Sequence, residues 1–175
     1  PLGFVTTNTY DAKGNLLTTT TPSPGGHTAG SKTTLTYDSK GQLVKVTDPL
    51  NHITQFAYTA AGLVQSVTDA QNRITRFEYD NRGNRTATVD AMNQRTTFDY
   101  DLMNRLTSIT FPTTPATSTL LTYDSRGRGI SVTDPNVKTT TYAYDDADRL
   151  ISVTDAQSPG GVTRYEYDPE SNLIS

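Results

Sequence analysis

Tyrosine recurs along this chain at a fixed step. Tyr37, Tyr58, Tyr79 and Tyr100 stand 21 residues apart, and Tyr123 and Tyr144 repeat the interval. Tyr10 and Tyr167 keep the same register across steps of 27 and 23, where Pro-, Gly- or Thr-rich segments are inserted. Around most of these tyrosines lies one phrase, [Phe/Tyr]-x-Tyr-Asp-x-x-Gly-x-Leu, with Val-Thr-Asp ending about eleven residues after the Tyr. Repetition at a short fixed period marks an array in which each unit packs on its neighbours. Such a chain builds a wall, shell or filament rather than a pocket.

The composition agrees. Of 175 residues only 33% are hydrophobic, there is no Trp, and Thr alone supplies about a fifth. Thr, Val, Ile, Tyr and Phe suit a half-buried pleated surface, and no stretch carries helical apolar spacing, so the chain is all-β with a thin core. The net charge of −3 is dispersed, without the basic stripe that nucleic acid requires. No apolar run approaches the ~18 residues of a membrane span. Pro1-Leu2-Gly3-Phe4 has no signal-peptide character and reads as a cut within a longer polypeptide. The absence of Cys excludes disulfides and cysteine-based zinc sites, and is compatible with either export or the cytosol.

One unit, Ile53 to Arg73, shows how a repeat folds. Thr54, Phe56 and Tyr58 share a pleat face, Thr59-Ala60-Ala61-Gly62 breaks the alternation, Leu63 to Thr68 returns, and Asp69 to Arg73 turns again. Repeated, this gives an up-and-down antiparallel meander of about fifteen strands, two for most tyrosines. A sheet that wide coils. Four residues after the Tyr stand Gly14, Gly41, Gly62, Gly83 and Gly127, with Asn104, Asp148 and Ser171 in the other units. Gly, Asn and Asp tolerate positive φ, and Asp one residue after the Tyr accepts backbone N–H groups. The expected turn is type I closed by a left-handed residue in a bulge; Ser171 fits it least well. The second turn offers Asn51, Asn72, Asn93 and Asn136 after Asp48, Asp69, Asp90 and Asp134. Arg85 replaces the usual Leu and Val89 falls one place late, so an irregularity is expected between Arg85 and Asp90. Longer loops are expected near 22–31, 111–119 and 156–161.

Candidate chemistry is weaker than the architecture. The row Asp48, Asp69, Asp90, Asp134 and Asp155 suggests a calcium array, but calcium takes six to eight oxygens and each turn supplies one carboxylate, so these cap turns. Asp145, Asp146 and Asp148 read as a solvated turn. His27 and His52 lack a Ser or Cys partner at a recognisable spacing. Repeated carboxylates do not make the unique pair that a glycosidase needs. No catalytic, cofactor or metal residues are assigned, and the chain is not expected to be an enzyme. The stripe Phe56, Phe77, Phe98, Tyr142 and Tyr165 laminates neighbouring strands in one reading and stacks on sugars in another. Lamination requires the rings to be covered between strands.

The phrase Tyr37-Asp38-Ser39-Lys40-Gly41-Gln42-Leu43, and again Tyr79-Asp80-Asn81-Arg82-Gly83-Asn84-Arg85, resembles the YD repeat of the Rhs family. That family includes C components of bacterial insecticidal toxin complexes, wall-associated proteins and teneurins. The resemblance runs over nearly the whole chain and implies a single array, residues 1–175, belonging to a larger hollow β-shell. It makes Tyr10, Tyr37, Tyr58, Tyr79, Tyr100, Tyr123, Tyr144 and Tyr167, with Gly41, Gly62, Gly83 and Gly127, the structural repeat residues. The family's aspartyl self-cleaving core has no match here, and Asp48-Pro49, Asp134-Pro135 and Asp168-Pro169 are turn dipeptides. The implied function is a wall segment that encapsulates or presents a toxin, within a protein exported from or displayed on a bacterium. The implied partners are neighbouring repeats of the same parent and an enclosed toxin cargo. Open sheet edges add self-association. The competing reading is a cell-surface adhesion or carbohydrate-binding module built from the same repeats.

Overall fold

Short stretches of β-branched and aromatic residues, each stopped by a turn centred on Asp, leave the chain one regular option, a meander. The computed structural model describes residues 5–22, 30–157 and 160–175. Fifteen β-strands lie among them, every described ladder is antiparallel, and strand order is chain order. The fold is all-β and up-and-down.

Two units can be distinguished. The first, Pro1–Glu78 with Thr88–Asn93, holds β1 (Thr7–Tyr10), β2 (Leu16–Thr21), β3 (Ser31–Tyr37), β4 (Leu43–Thr47), β5 (Ile53–Tyr58), β6 (Val64–Thr68) and most of β7 (Ile74–Tyr79). Residues of β8 (Arg85–Val89) fall in both. The second, Tyr79–Ala87 with Gln94–Ser175, holds β9 (Arg95–Tyr100), β10 (Leu106–Phe111), β11 (Thr117–Tyr123), β12 (Gly129–Thr133), β13 (Thr139–Tyr144), β14 (Leu150–Thr154) and β15 (Val162–Arg164).

Alternation sets the two faces of the sheet. In β5, Thr54, Phe56 and Tyr58 are half-buried while Ile53, Gln55 and Ala57 are exposed. In β13, Thr140, Tyr142 and Tyr144 are half-buried while Thr139, Thr141 and Ala143 are exposed. The half-buried rings face apolar partners across the ladder, Phe56 opposite Val67 and Tyr142 opposite Val153. Among the described residues only Ala87 is a fully buried hydrophobic. The thin core expected from composition is thus a single pleated layer. Cross-strand neighbours cover one another in place of a second layer, each pair contributing about 0.2–1 kcal/mol.

Six first hairpins carry a bulge at their register tyrosine among the described ladders. Tyr37 pairs with Leu43 but Thr36 with Lys45, leaving Val44 as the extra residue. The same step recurs at Tyr10, Tyr58, Tyr100, Tyr123 and Tyr144. β8 runs from six to ten residues after Tyr79, as β4 does after Tyr37; Thr88 and Val89 exchange residue types without moving the strand.

The turns have the expected form. Gly41 N–H donates to the Asp38 carbonyl and Asp38 N–H to the Gln42 carbonyl, with Gly41 at φ 85°. Gly14, Gly62, Gly83, Gly127, Asn104, Asp148 and Ser171 all have positive φ as well. Second turns repeat the geometry, with Asn51, Asn72 and Asn93 left-handed. The fourth requires a correction. Asn136 stands two residues after Asp134, and the left-handed position falls on Val137 at φ 63°, with its side chain 84% exposed. The bonding pattern of the turn outweighs the preference of the residue, at the cost of strain in a β-branched side chain.

The loops differ from expectation in extent. Phe111 pairs with Thr117, so the connection expected over 111–119 shrinks to 112–116 and the flanking residues join β10 and β11. Asp155 N–H closes its loop on the Gly161 carbonyl, while residues 158 and 159 lie outside the described residues. So do 23–29 of the segment near 22–31, His27 among them.

Two substitutions test the left-handed positions by urea denaturation. Val137→Asn is expected to raise stability by about 1 kcal/mol, because Asn visits this region readily. Gly62→Val is expected to lower it by ~1–2 kcal/mol, since a Cβ there also meets Gln42 Nε2 at 3.3 Å.

Candidate functional site: the joints between hairpins

The bulge has a consequence at the next strand. The ladder between β4 and β5 stops at Lys45 opposite Gln55. Two residues nearer the turn, the Leu43 carbonyl accepts the phenol of Tyr58 at 2.7 Å. Tyr37 donates in the same way to Leu16 (3.0 Å), Tyr100 to Arg85 (3.1 Å), Tyr123 to Leu106 (2.8 Å), Tyr144 to Gly129 (3.0 Å) and Tyr167 to Leu150 (2.9 Å). Every acceptor lies six residues after the preceding register tyrosine. The hydroxyl takes the place of a backbone donor that the diverging strand cannot supply, which keeps a half-buried carbonyl satisfied. Because the acceptor is main chain, Leu, Arg and Gly serve equally.

The aspartate after each tyrosine organises the turn. Asp38 Oδ1 accepts the N–H groups of Lys40 and Gln42. In six turns the side chain of the residue closing the turn donates to Oδ2, from Asn15, Asn84, Arg105, Arg128, Arg149 and Asn172. In the third repeat Thr59 replaces Asp, and its hydroxyl accepts the Leu63 N–H at 3.2 Å.

In the second unit the closing residue also reaches the next turn. Arg128 donates to Asp124 of its own turn at 2.6 Å and to the Asp145 carbonyl at 3.0 Å, and its guanidinium lies 4.9 Å from the centre of the Tyr144 ring. Arg105 reaches the Asp124 carbonyl and covers Tyr123, and Arg149 reaches the Asp168 carbonyl and covers Tyr167. These are cation–π contacts, and on the stripe considered for sugar stacking the Arg85 guanidinium lies 4.9 Å from the centre of the Phe98 ring. In the first unit shorter links serve, Lys13 to the Ser39 carbonyl and Gln42 to the Gly62 carbonyl.

The carboxyls of Asp11, Asp80, Asp101, Asp124, Asp145 and Asp168 titrate below their ordinary range. For Asp145 and Asp101 the first cause is the backbone N–H of Arg149 or Arg105, aided by the same residue's guanidinium. For Asp11, Asp80 and Asp168 it is the side-chain amide of Asn15, Asn84 or Asn172. At Asp124 desolvation acts upward and is outweighed by Arg128.

The other residues singled out from the sequence fall as follows. Asp48, Asp69, Asp90, Asp134 and Asp155 each accept N–H groups within their own turn. Among the described residues no three His, Cys, Asp or Glu side chains converge as ligands. Asp148 does not join Asp145 and Asp146 in an acidic site, because Arg126 and Arg128 of the preceding turn bind it at 3.1 and 2.7 Å. His52 Nδ1 lies 2.8 Å from Asp48 Oδ2 on the surface. Phe56, Phe77, Phe98, Tyr142 and Tyr165 are all half-buried rather than flat on solvent. Sequence reading placed the register tyrosines in a laminated face but missed their hydroxyl bonds; the preference for Tyr over Phe at these positions was the available signal.

Tyr144→Phe keeps the ring and removes the bond, and is expected to cost about 1 kcal/mol in urea denaturation. The lowered carboxyl values set an acid dependence. A folded-state value below the unfolded one adds stability above the ordinary carboxylate range near ~4, and that stability is lost as pH falls through the folded value. The urea midpoint is therefore expected to hold down to about pH 5 and then fall, with a smaller fall in Asp145→Asn.

The chain's relatives share this architecture. Residues 4–118 match the family model described as Teneurin YD-shell, and residues 123–159 match the RHS repeat. A comparison with curated proteins found no match. Among solved structures, the chain is similar to the TcdB2–TccC3 crystal structure without the hypervariable C-terminal region, with TM-score 0.79 and 22% identity over 98% of this chain and 10% of that one. The Tc holotoxin pore of Photorhabdus luminescens gives TM-score 0.78 at 22% identity, over 98% of this chain and 10% of that one. The complex named TcdB2–TccC3–Cdc42 gives 0.71 at 18% identity, over 94% and 11%. The chain thus spans about a tenth of the length of these structures' chains, and at such identity they show the fold. With the first family model covering more than half of its residues, the chain belongs to the Teneurin YD-shell family.

Proposed function

We propose that residues 1–175 form a stretch of wall in a larger YD-repeat shell whose interior encloses a toxin domain. The observation that carries this reading is a one-layer sheet whose successive hairpins are joined edge to edge by tyrosine hydroxyls. Such a sheet extends by adding equivalent units, and its half-buried apolar face is the surface that a shell turns inward or against cargo. Similarity to structures of toxin complexes supports the cargo class. The remainder of the parent polypeptide completes the enclosure, and export from a bacterial cell accompanies that role. The role is structural and not catalytic, since each repeat presents the same groups and none gathers a unique constellation. Adhesion to sugars would need open rings, whereas Phe56, Phe77, Phe98, Tyr142 and Tyr165 are half-buried and Phe98 carries the Arg85 guanidinium.

The test is made on the parent polypeptide by cryo-electron microscopy together with limited proteolysis. The expected result is this segment as part of a closed wall around a region resistant to protease. If the segment instead projects as a separate rod, with the rest of the parent freely digested, the reading is overturned.

A further inference from the structure

We infer that the cleft between two neighbouring second turns, Asp69–Arg73 and Asp90–Asn93, receives an aliphatic first-turn tip from another stretch of the same parent wall laid alongside this one. The floor of the cleft is the cross-strand pair Val67 and Thr75 on the half-buried face. Ala91 and Met92 form one bank, and the Asp69–Arg73 ion pair, at 2.6 Å, forms the other. Asp90 accepts the Met92 N–H within its own turn, so the charged groups around the rim are already engaged. The cleft measures about 440 Å³, room for a pair of aliphatic side chains.

The turns line the sides of the sheet. Repeats added before or after this segment continue its ends and leave the sides uncovered. A six-residue strand such as β7 spans only ~20 Å, less than the breadth of a folded domain, whose radius of gyration alone is ~13 Å at 100 residues. One strip therefore cannot enclose such a domain, and stretches of wall have to lie side by side. Stretches that run in the same direction set second turns against first turns. The chemistry of the two sides fits that contact. The middle positions of these second turns are uncharged, Pro49-Leu50, Ala70-Gln71 and Ala91-Met92, with Leu50 74% and Met92 78% exposed. Several first-turn tips carry a base, Lys13, Lys40, Arg82 and Arg126, but the fifth presents Leu102 and Met103, 85% and 72% exposed. A tip of that kind matches the cleft in size and polarity, and the apolar surface removed from water drives the docking. The inference rests on the wall reading and adds to it the place where one stretch grips the next.

The chain contains two methionines, and both lie on the surfaces concerned, Met92 at the cleft and Met103 on a tip. In the intact parent polypeptide, hydrogen peroxide is expected to oxidise Met92 about ten-fold more slowly than after unfolding in urea, since sulfoxide formation follows exposure. Replacement of methionine by its diazirine analogue photo-methionine identifies the neighbour. Irradiation is expected to join position 92 to residues two or three places after a register tyrosine of a distant repeat. Oxidation of Met92 at the unfolded rate overturns the proposal. So do cross-links from position 92 that end in the toxin domain or in another protein, or that stay within adjoining turns. An interior that resists protease while Met92 oxidises freely removes this contact and leaves the wall reading in place. An interior open to protease, with position 92 still joined to a distant first turn, removes the enclosure and keeps the contact.

Discussion

The hydrogen bond from a tyrosine hydroxyl to a bulge-displaced carbonyl is the contact on which the repeat depends. Each Asp-centred turn closes with a left-handed residue, and after the turn that follows a register tyrosine the return strand carries an extra residue. The extra residue ends the ladder to the next strand early and leaves a main-chain carbonyl without a backbone donor. A phenol projecting from the next strand reaches it. The ring fills the apolar face and the hydroxyl satisfies the carbonyl, so two demands fall on one side chain. Phe meets only the first.

The turns add a second tier of connection, and its chemistry changes along the chain. The position that closes the first turn holds Asn15, Gln42, Leu63 and Asn84 in the first four repeats, Arg105, Arg128 and Arg149 in the next three, and Asn172 in the last. The Asn84 amide binds its own Asp80 and Asn104 of the next turn, whereas the Arg128 guanidinium binds its own Asp, the next turn's carbonyl and the next tyrosine ring together. Exposed ion pairs alone contribute little. Geometry gives these more weight, because the planar fork fixes the spacing between consecutive turns.

Function follows from equivalence. A catalytic site gathers its groups in one place, while here the register tyrosine and a left-handed residue four places on recur in every repeat, and the turn aspartate in all but the third, where Thr59 stands. What such a chain provides is extent. With Ala87 the sole fully buried hydrophobic among the described residues, stability passes between nearest neighbours rather than through a central core. That is the economy of a wall.

Much of this was legible in the sequence because it is local. The 21-residue tyrosine step, the alternation in Ile53–Tyr58 and the Gly or Asn four residues after Tyr fixed the strands, the turns and the more buried face, since each depends on residues within one hairpin. Even Ser171, the least suited, follows the pattern. What escaped was either set by neighbours or displaced by one place. Val137 is left-handed because the bonds of its turn require that conformation there. Phe111 and Thr117 extend strands because each supplies the other's partner. Asp148 is bound by Arg126 and Arg128, 22 and 20 residues earlier. The destination of the tyrosine hydroxyls lies one strand away, and no spacing in the chain names a backbone carbonyl as an acceptor. The sequence by itself determined the unit; only the tertiary structure decided how one unit holds the next, because those contacts are made by main chain that the bulge sets free.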